Sequence, residues 1–273
     1  MDQASRFTFS SPGSWPLERS VEWAKEHGFS RVDFNADGAP NYPGSFSADR
    51  MNELRGRAES SGITLGIHTL SAVNMAEITP VMAAAADQYL QENFDLAASL
   101  GCGYLVCHGG FHFSTDYDAR FEASLARAEL MVHLAEERNL DVYFENHNWE
   151  PEHAEIHYVP HNVVETRRYF ERFTSPRFKW ACNIGHAALV PDNWTGFLDA
   201  FGTARIGHVR LHDTHGQYEE HLLPGRGILD FRAIFTRLRD DGYTGPFTLD
   251  FGSPDDRARG MDEFARLLEQ LDG

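Results

Sequence analysis

The sequence predicts a single α/β domain, a (β/α)₈ TIM barrel spanning residues 1–273, and three observations carry that expectation. Short runs rich in β-branched and aromatic residues alternate with longer amphipathic runs along the whole chain. Eight such strand-and-helix units fit into 273 residues, close to the roughly 250 typical of the barrel. No low-complexity linker interrupts the series, so one domain is expected. An open doubly wound sheet uses the same alternation and is the alternative.

In order, the strands are expected at Phe7–Ser10, Arg31–Asn35, Thr64–Leu70, Tyr104–His108, Asp141–Asn146, Phe178–Asn183, Ile206–His212 and Phe247–Phe251. Helical spacing of apolar residues fills the gaps, as in "PLERSVEWAKEHG" from Pro16, "PVMAAAADQYLQENFDLAASLG" from Pro80 and "DARFEASLARAELMVHLAEERN" from Asp118. Two of these open on Pro, and all run into Gly or Asn, the residues that start and stop helices.

Composition narrows the class of function. A hydrophobic content of 42% supplies a real core. Acidic residues outnumber basic ones 41 to 24, a formal charge of -17. Such a field repels a phosphate backbone, so nucleic acid is not an expected partner. The cysteines Cys102, Cys107 and Cys182 are odd in number and lack C-x-x-C spacing, which points to neither a disulfide framework nor a thiolate zinc site. The start "MDQASRFTFSSPG" shows no signal-peptide pattern, and no segment has the apolar length of a membrane span. A cytoplasmic protein without a membrane partner is expected, and the composition is compatible with a homo-oligomer.

In a barrel of this kind the chemistry sits where strands give way to loops at their carboxyl ends. The third strand ends in "GIHTL" with His68, the fourth in "VCHGG" with His108 and the fifth in "YFENHN" with Glu145. The sixth supplies Asn183 and His186, the eighth Asp250. On the seventh, "HVRLHDTH", alternation puts His208, Arg210 and His212 on one face. Each has a plain reading, and Asn183 beside Gly185 is also the composition of a helix-capping turn. Six consecutive strands ending in polar groups are not what barrel packing selects, because interiors favour branched aliphatics. Glu145, Asn183, His212 and Asp250 offer oxygen and nitrogen donors without thiolate, which suits one divalent ion, Mn²⁺, Mg²⁺, Co²⁺ or Zn²⁺. Two carboxylates beside such an ion suit proton transfer next to a carbonyl through an enediolate, with Glu145 and Asp250 as the catalytic pair.

The stretch "HVRLHDTHGQYEEHLLPGRGILDF" from His208 to Phe231, followed by "LRDDGYTGPFTLDFG", resembles the sugar phosphate isomerase/epimerase family of xylose-isomerase-like barrels, which is related to endonuclease IV. "FENHN" and "CNIGHA" match its fifth and sixth strands, and the resemblance covers nearly the whole chain. It implies metal ligands at Glu145, Asn183, His212 and Asp250, with Glu145 and Asp250 as acid and base and His186 on substrate hydroxyls. The implied substrate is a sugar or polyol-type small molecule; a lyase or dehydratase, including carbon-glycoside cleavage, is the alternative, and an endonuclease IV-like phosphodiesterase ranks after it. Two positions depart from the family: Asn183 stands where Asp is usual, and Asp250 where Glu is usual. The three-zinc endonuclease has counterparts at His68, His108, Glu219 and His221, and the resemblance places His68, His108 and His221 among the substrate-binding residues of sugar-acting members. Arg226 in "PGRG" is expected either to meet a substrate oxyanion or to pair with a surface acid. The acidic "FGSPDDR" loop favours an unphosphorylated substrate. The loop "HNWEPEHAEIHYVPHN", with His147, Trp149, His153, His157 and His161, reads either as a substrate lid or as solvated polarity.

Overall fold

A computed structural model describes residues 3–150 and 155–272. Its strands in chain order are β1 (Phe7–Ser10), β2 (Arg31–Phe34), β3 (Thr64–His68), β4 (Tyr104–Cys107), β5 (Phe111–Phe113), β6 (Asp141–Glu145), β7 (Ile156–Tyr158), β8 (Phe178–Asn183), β9 (Ile206–Leu211) and β10 (Phe247–Leu249). Eight of them form a closed parallel barrel in the order β1-β10-β9-β8-β6-β4-β3-β2. Because β1 pairs with both β2 and β10, the sheet has no edge, and the open doubly wound alternative is excluded. The two remaining strands, β5 and β7, pair antiparallel, Phe111 opposite Tyr158, an element the sequence did not announce. The histidine-rich loop after β6 supplies one of its two strands, β7.

Two strands end where expected, and the other six stop one or two residues sooner, at Phe34, His68, Cys107, Glu145, Leu211 and Leu249. Of the residues just beyond those ends, His108 and Asp250 line the cavity above the barrel.

The helices pack apolar faces on the outside of the barrel, such as Leu90, Phe94 and Ala97 from Pro80–Leu100 and Phe121, Leu125 and Ala128 from Tyr117–Arg138. Each large side chain so buried contributes on the order of 1.5–3 kcal/mol. Helix ends follow local chemistry. Asn162 accepts the Glu165 N–H at the start of Val163–Arg172, and Asn139, at φ 55°, closes Tyr117–Arg138.

Inside the barrel, Tyr104 and Tyr143 stack with ring centroids 4.5 Å apart, and His208 stands edge-on to both. Gly66 on β3 makes room for this plug, since a Cβ there would lie 2.2 Å from the Tyr104 ring. The plug ends at a charged layer, where the Tyr104 hydroxyl donates to Asp33 (2.7 Å) and Asp33 pairs with Arg210. Above that layer the interior is polar. No helix among the described residues is long and apolar enough to cross a membrane, and all three cysteines are buried and free.

Candidate active site

At the carboxyl end of the barrel lies a cavity of about 160 Å³, lined by His68, Ser71, His108, Glu145, Asn183, His186 and Asp250, with His147, Tyr158, Glu219 and His221 from loops. That is below the roughly 300–1,000 Å³ of pockets for drug-sized ligands, a size for a small polar molecule.

Its floor is a network of charges. Arg210, fully buried, donates from Nη1 to Asp33 Oδ2 and from Nη2 to Asp250 Oδ2, both at 2.7 Å, and its Nε stands 3.6 Å from Glu145 Oε2. Ser10 donates to the other Asp250 oxygen at 3.2 Å. Burial pushes the Glu145 carboxyl up, but the Arg210 guanidinium and the imidazoles of His108 and His68 outweigh it and hold the group well below the usual carboxylate range. Asp250 is likewise held down, burial being outweighed by Arg210 and then by His221. Both carboxylates are therefore ionised at neutral pH.

His68 and His108 approach Glu145 Oε2 to 3.5 and 3.7 Å, and their Nε2 atoms stand 3.1 Å apart. Two ring nitrogens at that distance bond only if one carries the proton. Arg210 Nη2 lies 3.3 Å from His68 Nδ1. A guanidinium can only donate, so Nδ1 accepts and the His68 proton is on Nε2.

A second group of histidines lines the opposite side. His186 and His221 each direct Nδ1 at a backbone carbonyl, those of Asn146 (2.9 Å) and Asp250 (2.6 Å), and each points Nε2 at Glu219 Oε1, at 2.8 and 2.7 Å. Nδ1–H fixed on a carbonyl leaves Nε2–H to donate to Glu219, so both rings are held as imidazolium, burial being outweighed by that carboxylate, and an ion taking Nε2 would have to displace its proton. His212 lies between them, stacked on His221 at 4.2 Å, and neither of its nitrogens has a hydrogen-bond partner among the described residues. Burial, helped by His221 and His186, pushes His212 down to about 3, so the ring is neutral. Gly185 is obligatory beneath it, because a Cβ would come within 2.1 Å of the ring. Donor atoms of His186, His212 and Glu219 lie within 4.8 Å of one another, as do those of His68, His108 and Glu145.

The sequence-predicted residues thus converge on one cavity with two exceptions. His212 lies buried behind its wall, grouped with His186 and Glu219 rather than with Glu145. Arg226 is exposed and does not line the cavity. The "PGRG" loop has a different task, which is to wrap Asp213. The N–H groups of Gly225 and Gly227 donate to Asp213 Oδ2 (3.0 and 2.8 Å), and those of Thr214 and Leu229 to Oδ1 (2.9 and 3.1 Å). Asn183 does two things at once. Its Oδ1 caps the following helix by accepting the His186 N–H (3.0 Å), and its Nδ2 donates to Glu145 Oε1 (2.8 Å). In the long loop, His147 is buried and stacks on Tyr158 at 4.3 Å, roofing the cavity, while His157 and His161 pair with Trp149 and Glu165. His153 lies outside the described residues.

Sequence reasoning missed the roles of Arg210, Asp33 and Asp213. The alternation of His208, Arg210 and His212 already put an arginine on the interior face of a barrel strand, and a buried guanidinium requires carboxylates around it.

A closed parallel barrel with a polar, histidine-rich cavity at its carboxyl end defines a class, and the family follows. Residues 21–271 match the family described as xylose isomerase-like TIM barrel, and the chain belongs to it. An uncharacterized protein of Sinorhizobium fredii is 25% identical, the match covering 88% of this chain and 82% of the relative. The crystal structure of a D-tagatose 3-epimerase-like protein superposes with a TM-score of 0.85 over 98% of both chains at 19% identity. That of D-psicose 3-epimerase from Clostridium cellulolyticum H10 gives 0.78, covering 96% of this chain and 99% of the other at 18% identity. At such identities these likenesses establish the fold.

Proposed function

We propose that this protein is an isomerase or epimerase of a small sugar or polyol-type substrate, acting by proton transfer beside a carbonyl with a divalent ion bound nearby. The observation that carries this reading is the presence of two ionised carboxylates, Glu145 and Asp250, on one guanidinium at the floor of a small polar cavity. The names of the 3-epimerase structures agree with it.

The four-residue ligand set of Glu145, Asn183, His212 and Asp250 does not fit one ion. Asn183 is engaged through both its oxygen and its nitrogen, Asp250 is engaged by Arg210, and His212 groups elsewhere. The donor set that fits better is His186, His212 and Glu219, with His221 beside it: His212 is neutral, buried and unpartnered, and an ion would replace the proton that His186 Nε2 and Glu219 Oε1 share at 2.8 Å. Nitrogen-rich donors of this kind favour Zn²⁺, Co²⁺ or Mn²⁺ over Mg²⁺. A bound ion would supply charge stabilisation to a substrate oxygen.

The chain's own groups do the rest. Glu145 accepts the carbon-bound proton, Oε2 being the oxygen left without a hydrogen bond among the described residues. Asp250, oriented by Arg210 and Ser10, holds a hydroxyl or returns the proton on the other face. His147 stacked on Tyr158 excludes water from above. Where a phosphate would be expected, Asp255 and Asp256 occupy the first turn of the helix Pro254–Asp272, which favours an unphosphorylated substrate.

A lyase is the second reading, and the engagement of Asp250 by Arg210 favours it. One free base, Glu145, with an imidazolium at His221 to protonate a leaving oxygen, suffices for elimination. The test is to incubate the protein with Mn²⁺, Co²⁺ or Zn²⁺ and a panel of ketoses, aldoses and oxidised sugars in deuterated water. Deuterium entering beside the carbonyl is expected. Loss of water or aglycone would favour the lyase, and cleavage of abasic-site DNA without exchange would overturn both.

A further inference from the structure

The gap between Glu145 and Asp250 is where the strand-end residues led us to expect a divalent ion, and the structure fills it with a side chain. We propose that Arg210 is a built-in cation that holds this place permanently, so that neither Asp250 nor Glu145 is a ligand of any ion the protein binds and the ion is confined to the His186–His212–Glu219 side. The inference rests on the metal-dependent reading above and specifies its geometry.

The guanidinium takes Asp250 Oδ2 at 2.7 Å and faces Glu145 Oε2 at 3.6 Å, and the other two oxygens are engaged as well, Asp250 Oδ1 by Ser10 (3.2 Å) and Glu145 Oε1 by Asn183 Nδ2 (2.8 Å). An ion held by Asp250 Oδ2 at roughly 2.1 Å would stand within about 5 Å of Nη2, and in a water-poor interior two such cations repel strongly. Arg210 cannot give way. It is fully buried, it cannot deprotonate, and Asp33, itself fixed by Tyr104, clamps Nη1 at 2.7 Å. One guanidinium serves Asp33, Glu145 and Asp250, and His221 stands 3.6 Å from Asp250 Oδ2 on the far side.

The neighbours follow the same logic. Asn183 sits opposite Arg210 in the β8–β9 register and presents a neutral amide. His68 lies within reach of His108 and Glu145, but its Nδ1 accepts from Arg210 Nη2 at 3.3 Å, which ties it to the same guanidinium. Across the cavity, both nitrogens of His212 are buried without a partner, a state that only a ligand or water resolves. Arg210 is thus a positioning residue: it orients and neutralises Asp250 as an ion would.

The experiment is a titration of the chelator-stripped full chain with Zn²⁺ and with Mn²⁺, followed by calorimetry and elemental analysis, with folding checked by circular dichroism. Asp250→Asn and Glu145→Gln are expected to hold the ion within about threefold of wild type, while His212→Gln and Glu219→Gln weaken it by about 100-fold or more. Arg210→His, which removes the cation and offers a donor, is expected to bind one further ion per chain, and Arg210→Lys to keep the wild-type stoichiometry. A loss of about 10-fold or more in Asp250→Asn would overturn the proposal, as would a folded Arg210→His that gains no ion. If Arg210→His does not fold, the Asp250→Asn titration decides alone. A wild-type chain that binds no ion while Arg210→His binds one would refute metal dependence and still support the role of Arg210.

Discussion

The two sides of the cavity are built on opposite principles. On the floor, Asp33, Arg210, Glu145 and Asp250 form a network in which charge meets charge, and its unbonded atoms, Arg210 Nε and Glu145 Oε2, face one another at 3.6 Å. On the histidine side, His186 and His221 are locked by backbone carbonyls, Glu219 is shared between them, and His212 is left with nothing to bond. The difference teaches where to look for a ligand. On the floor each unbonded atom faces an opposite charge of the chain itself, whereas His212 faces none, so its donors are the ones held open for something the chain does not itself supply.

The largest effect expected from this contrast is at Glu145. Glu145→Gln removes the proposed base and should lower turnover by about 10²–10⁴-fold, yet ion binding should persist, a separation that steady-state kinetics and metal titration read side by side. Parallel loss of both would erase the distinction between the two sides. Next in size is Gly185→Ala, which drives a methyl into the His212 ring. Overpacking of this kind destabilises by about 1–3 kcal/mol, and the displaced ring should also weaken ion binding. Thermal melts with and without Zn²⁺ check both, and an unchanged ion-dependent rise in Tm would show that His212 is not a ligand.

How far the sequence reached follows the same division. The barrel was legible because alternation of strand and helix is a property of residue spacing, and eight strands closed as expected. Polar strand ends were legible one at a time, since His68, His108, Glu145, Asn183, His186 and Asp250 do face one cavity. Which of them pair with one another was not, because that depends on rotation about single bonds and on neighbours 177 to 240 residues away, such as Asp33 on Arg210 or Ser10 on Asp250. Around Arg226 the flanking glycines have a local reason of their own: they are needed for the backbone that encloses Asp213, since a Cβ at Gly227 would lie 2.1 Å from Thr214 O.

A smaller effect is expected from pH, and it belongs to the histidine side. Burial lowers His221, but its hydrogen bond to Glu219 and the charges of Asp250 and Glu219 prevail and raise it from 6.5 to about 9. With the folded value above the unfolded one, the stabilisation is complete below about pH 6.5 and is lost as pH rises through about 9. The ring is 39% exposed, so solvent screens the pair and the change is modest. Melting temperatures of ion-free protein should therefore fall between those pH values, and His221→Gln should flatten the fall. A proton on Nε2 competes with an ion, so ion affinity should rise over the same range.

The smallest effect is expected at Arg226, and it tests where the cavity ends. The residue is exposed, the loop's backbone rather than its side chains holds Asp213, and the acidic first turn of the last helix already argues against a phosphate beside it. Arg226→Ala should shift stability by no more than about 0.5 kcal/mol, as surface substitutions do, and should leave KM for a neutral sugar within about twofold, since no contact with the cavity is removed. The informative comparison is between a sugar and its phosphate ester. A KM that rises many-fold for the ester alone would place an anion-binding extension over this loop, make the substrate larger than the 160 Å³ cavity suggests, and restore to Arg226 the role that its sequence context suggested.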